Sequence, residues 1–83
     1  MEVLIAFLNS LSRPDQVAFA AACGTSIGYL RKAAYRAQRI GADLCIRIER
    51  ESKMRVRCED LRPDVDWAYL RGTGPVQVAE VAA

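Results

Sequence analysis

Apolar residues along these 83 residues fall into short groups, each spaced for one face of a helix. Val3, Leu4, Phe7, Leu8 and Leu11 recur at i, i+1, i+4, i+5 and i+8, one wide stripe that predicts a first helix from Glu2 to about Leu11. Ser12 can cap the next helix and Pro14 stands where a missing N–H costs nothing, so a second helix is predicted over roughly Pro14 to Cys23, ended by Gly24. Thr25 or Ser26 can cap a third, running to about Tyr35 or Arg36. The helical period lapses from Arg36 to Gly41 and returns over Ala42 to Ser52, with Leu44, Cys45 and Ile48 inward. Lys53 to Arg57 reads as a connector with a short extended piece around Val56. Cys58 to Arg62 reads as one more helical turn, stopped by Pro63. Asp64 to Arg71 carries Trp67, Tyr69 and Leu70. The segment 72–83 is expected to be a flexible tail, in which Val76, Val78 and Val81 could pair as a strand.

The densest information lies between Gln16 and Tyr35. Ala20 is followed four positions later by Gly24, with Phe19, Cys23, Ile27, Leu30 and Ala33 supplying apolar contacts on either side. Two short helices that cross steeply through a tight turn need this spacing. The small Ala20 lets the backbones approach, and Gly24 can take the positive φ that leaving the first helix requires. The pattern predicts a DNA-binding helix-turn-helix within a single domain, residues 1–71.

Composition supports a small helical domain, with 52% hydrophobic residues rich in Ala, Val, Leu and Ile. The net charge of +2 conceals an asymmetry. Between Arg13 and Arg57 ten Lys/Arg face four acids, leaving that span at +6 and the remainder at −4. A basic body points to a polyanionic partner, although charge alone would describe any solvated surface. Cys23, Cys45 and Cys58 are odd in number, contain no CxxC pair and have no histidine to join them, so buried small apolar residues are expected rather than a metal site. The apolar start Met1 to Leu8 lacks a basic flank and is too short to cross a bilayer, and a cytoplasmic protein is expected. Neither a nucleophile beside a base nor a phosphate-cradling glycine loop is present, so catalysis and cofactors are not expected.

A recognition helix over about 26–35 would turn Ser26, Gly28, Arg31, Lys32 and Tyr35 toward base edges in the major groove. Arg31 is the strongest candidate, because its guanidinium matches the two acceptors on a guanine edge. Lys32 could read guanine or touch phosphate, Gly28 allows close approach, and Tyr35 divides evenly between packing and DNA. Arg13, Gln16, Thr25, Arg36 and Arg39 are candidates for phosphate contact, Gln16 through its side-chain amide at the start of the second helix. Trp67, Tyr69 and Leu70 are candidates for a dimer interface, while in most proteins such a tryptophan is core or interface.

The run Ala20-(x3)-Gly24-Thr-Ser-Ile-Gly-Tyr-Leu30, with Leu44-Cys-Ile-Arg-Ile-Glu-Arg50 and Cys58-Glu-Asp-Leu-Arg-Pro63, resembles the Cro/CI-type phage repressors. Within them it is most similar to the small YdaS-like prophage regulators and antitoxins. The resemblance spans roughly residues 2 to 70. It implies an all-α, five-helix lambda-repressor-like domain that binds a double-stranded DNA operator and represses transcription, often as a homodimer. An antitoxin or protein-interaction role through the C-terminal part, directed at a toxin or other protein, is the alternative. Many members carry Gly soon after the recognition helix; here Arg36-Ala37 occupies that turn and Gly comes only at position 41.

Overall fold

The computed structural model describes residues 1–72, in which six helices and no strand occur: α1 (Glu2–Asn9), α2 (Arg13–Ala22), α3 (Ile27–Arg36), α4 (Ala42–Glu51), α5 (Cys58–Leu61) and α6 (Trp67–Leu70). The tail from residue 73, with its valines, lies outside the described residues. The all-helical class holds. The count rises from five to six because Trp67–Leu70 closes a turn of its own, capped by the Asp66 carboxylate, which accepts from the Tyr69 N–H.

α1 lays Leu4 and Leu8 against α3, both effectively fully buried, while Val3 on the edge of the same stripe stays 40% exposed. Phe7 meets Phe19 of α2 edge-on, with ring centroids 5.0 Å apart. α2 starts as its sequence dictates: the Ser12 hydroxyl accepts from the Asp15 N–H, and Pro14 lies in the first turn. It ends on Gly24, whose φ of +79° lets the Thr25 N–H reach the Ala20 carbonyl and the Gly24 N–H reach that of Ala21. This six-to-one and five-to-two pair satisfies two carbonyls that a helix end would otherwise leave open. Ala20, 1% exposed, lies on α2, which packs against α3. Ser26 then caps α3 by accepting from the Tyr29 N–H at 3.1 Å.

α3 closes in the same way but without a glycine. Ala37 takes φ 50° and ψ 41°, and the Gln38 N–H donates to the Ala33 carbonyl. Left-handed backbone costs a residue with a Cβ roughly 1–2 kcal/mol, of which glycine's greater freedom in the unfolded chain returns about 0.5–1 kcal/mol. Ala37→Gly is therefore expected to stabilise the chain by about 0.5–1 kcal/mol, which a thermal melt reads as a rise of roughly 3–6 °C. An unchanged or lower midpoint would show that Ala37 is not held in that conformation.

The connector after α4 is a turn rather than an extended piece. Lys53 and Met54 both adopt positive φ, 55° and 69°, and the Met54 N–H returns to the Glu49 carbonyl. The buried Ser52 hydroxyl accepts from the Val56 N–H at 3.0 Å and shares its one proton between the carbonyls of Glu49 and Val56, at 3.2 and 3.3 Å, folding Val56 back into the core, where it is fully buried. Local β propensity at Val56 yields to this tertiary tie. α6 is fixed by Trp67, 4% exposed, whose indole donates to the Arg62 carbonyl at 2.7 Å. Arg71, just past α6, grips Glu49 of α4 and Glu59 of α5.

Candidate nucleic-acid interface

The position of α3 divides its residues cleanly. Leu30, Ala33 and Ala34 are buried at 0–1% exposure, so the helix turns the opposite face outward. That face carries Gly28, Lys32, Tyr35 and Arg36, all exposed, with Arg31 half-buried beside them. Ser26 sits at the start of the face with its hydroxyl engaged as the helix cap. A Cβ at Gly28 would meet nothing nearer than the Ser26 hydroxyl at 4.0 Å, so packing within the chain does not demand glycine there.

Arg31 is held from two sides. Its Nη1 donates to Gln16 Oε1 at 3.4 Å, and its guanidinium carbon lies 5.9 Å from the centre of the Tyr35 ring. Gln16 itself is 8% exposed, and its Nε2 donates to the carbonyls of Leu8 at 2.8 Å and Leu11 at 3.3 Å. The expectation of a phosphate contact from this amide meets a geometric obstacle, since both N–H donors close the end of α1. Gln16 stands behind the surface instead of on it.

Arg13, Lys32 and Arg36 are exposed and make no ion pair among the described residues. Thr25 is half-buried at the turn and uses its N–H in closing α2. Arg39 has a neighbour that the spacing did not suggest: Asp64 lies 3.4 Å from its Nη2. Asp64 is gripped chiefly by Arg62, through Nε and Nη2 at 2.9 Å each, which holds its carboxyl down at about 2. Arg62 also donates to the Ile40 carbonyl, tying the segment after α3 to the one after α5. The Arg-Pro-Asp run is the local signal that could have marked this pair.

Arg47 is a further residue at the turn that the spacing left among the general cations. Its Nη1 donates to the Cys23 carbonyl at 3.5 Å and lies 2.8 Å from where a Cβ on Gly24 would be. A cation there complements the carbonyl end of α2. Only the crossing of α4 over α2 brings it there, so no local pattern announces it. Trp67 is buried in the core of its own chain, and of the three expected interface residues only Tyr69 and Leu70 reach the surface, 55% and 66% exposed. Cys23, Cys45 and Cys58 are free and buried, and burial pushes the thiols of Cys23 and Cys58 up to about 11. Among the described residues no three potential ligands gather as a metal site would require, and no helix is long and apolar enough to cross a membrane.

The family described as "Bacterial toxin YdaS" matches residues 15–70, which begins within the first turn of α2, takes in the whole of α3 and runs to the end of α6. A protein of Escherichia coli (strain K12) named "Putative transcriptional regulator YdaS" is 50% identical over 34 residues, covering 41% of this chain and 35% of that relative. The matched stretch thus spans about a third of the relative's length. No solved structure matches this chain.

Proposed function

This chain belongs to the YdaS family, and from that premise we propose that it is a sequence-specific DNA-binding transcriptional regulator of the phage-repressor kind, a binding protein and not a catalyst. The observation that carries the reading is the outer face of α3. It presents Gly28, Lys32, Tyr35 and Arg36 to solvent around a guanidinium already fixed in place, in the second helix of a helix-turn-helix. Arg31 reads a guanine edge, Lys32 reads or steadies beside it, and Arg13, Thr25, Arg36 and Arg39 contact phosphates. Arg39 does so in exchange for Asp64.

One such module covers little DNA, so two copies on half-sites about 34 Å apart form the functional unit. Tyr69 and Leu70 are the exposed apolar residues that would join them.

The test is a titration of labelled duplex DNA from the region flanking its own gene, repeated across salt concentrations. With about four to six phosphates neutralised per subunit by Arg13, Arg36, Arg39 and neighbouring cations, log affinity should fall with log salt at a slope of about −4 to −5 per subunit. A flat salt dependence, or no binding at low salt, would overturn the DNA reading. A second reading is favoured by the family's description as a toxin together with the exposed Tyr69 and Leu70: a protein partner engaged through α6, as in a toxin–antitoxin pair. The DNA contact through α3 can coexist with such a partner, whereas pairing of two copies through Tyr69 and Leu70 competes with it for the same residues.

A further inference from the structure

We propose that Gln16 is the positioning residue for Arg31, converting the end of α1 into a fixed mount for the guanidinium that reads the base; the inference rests on the DNA-binding reading of α3. The argument begins with the amide's orientation. Leu8 and Leu11 present carbonyl oxygens, which only accept, so the NH2 end of Gln16 must face them and Oε1 must face the other way. In that direction it meets Arg31 Nη1. A buried side chain with two backbone anchors has little freedom left, and at 8% exposure Gln16 cannot follow a moving partner.

Arg31 is therefore restrained by the Gln16 oxygen on one side and the Tyr35 ring on the other. A long side chain normally surrenders much rotamer freedom when it docks. Here part of that loss is incurred on folding, before DNA arrives. The consequence concerns selectivity: a guanidinium aimed in advance gains on the correct base and gains little on a wrong one.

The experiment uses the full chain and two duplexes of equal length, one recovered from a randomised pool by selection with the wild-type protein and one scrambled. Affinities give a selectivity ratio for wild type, Gln16→Met, Arg31→Ala and the double variant, with melting curves alongside. Gln16→Met is expected to lower the ratio about 3- to 10-fold in the wild-type background and to leave it unchanged in the Arg31→Ala background. A merely structural role would weaken both duplexes alike and would do so in both backgrounds; that result overturns the proposal. If Gln16→Met does not fold, NMR relaxation of the Arg31 side-chain nitrogens in the free wild type replaces it. A guanidinium as ordered as the backbone supports the mount, and a freely rotating one overturns it. Should the wild type itself fail to distinguish the two duplexes, the DNA reading fails. If it distinguishes them and only Gln16→Met is silent, the mount alone fails.

Discussion

Replacing Arg31 by alanine is expected to weaken binding to a selected duplex about 10- to 100-fold while leaving the fold intact. The magnitude follows from the contact proposed: a bidentate guanidinium–guanine pair discriminates by about 1–3 kcal/mol, and each 1.4 kcal/mol is a factor of ten. The fold should tolerate the change because Arg31 is only half-buried and its partners within the chain are a 3.4 Å hydrogen bond and the face of an exposed tyrosine. Substitutions at such positions usually move stability by no more than about 0.5 kcal/mol. The salt dependence separates two ways of losing affinity. A base-reading arginine takes affinity with it and leaves the slope unchanged, whereas a phosphate-binding one lowers the slope by about 1 and weakens all sequences alike. Lys32→Ala, measured beside it, should show the second behaviour to the extent that Lys32 serves phosphate. If Arg31→Ala binds the selected duplex as tightly as the wild type at every salt concentration, α3 is not the recognition helix.

The helix-turn-helix was legible because its determinants are local. Gly24 at positive φ and Ser12 and Ser26 as caps each act within a few residues of sequence, and the structure uses each as the spacing requires, with Ala20 buried as expected. The turn after α3 was less legible, since an alanine at φ 50° obeys no local preference; the Gln38 to Ala33 hydrogen bond and the burial of Ile40 impose it. Gln16 and Trp67 were readable as chemistry but not as direction. Whether an amide at the start of α2 faces solvent or the end of α1 depends on the angle between two helices, which periodicity does not encode. Trp67 turns inward because the Arg62 carbonyl and the core receive its indole, a contact made possible by the turn at Pro63 and Asp64. Arg47 on the Gly24 turn and Arg71 on Glu49 join residues more than twenty positions apart, beyond any spacing rule.

That last pair carries the largest expected effect on stability. Glu49 projects from α4 into the junction with α5 and α6. There its Oε1 accepts from the Cys58 N–H at 2.9 Å and its two oxygens take the fork of Arg71, with Arg57 about 4.0 Å away. The Arg71 hydrogen bonds are the chief cause that lowers the Glu49 carboxyl from 4.5 to about 2. Its folded pKa lies below its unfolded one, so the stabilising contribution is complete above about pH 4.5 and is lost as pH falls toward 2. With the side chain only 15% exposed, solvent screening is limited, and the linkage amounts to roughly 2–3 kcal/mol. Glu49→Gln should therefore be about 2–3 kcal/mol less stable than wild type in urea denaturation at pH 7. A neutral amide cannot hold the guanidinium as a carboxylate does, and it leaves Arg71 with Glu59 alone. The difference between the two proteins should narrow steadily below pH 4.5, because wild-type Glu49 is then itself becoming neutral. A gap that stays constant from pH 7 to pH 3 would mean that Glu49 titrates normally and that Arg71 is not bound to it in solution. Because the junction lies among α4, α5 and α6, Glu49→Gln that remains folded at pH 7 should still bind DNA through α3. Loss of stability and loss of recognition are thereby assigned to different parts of one small fold.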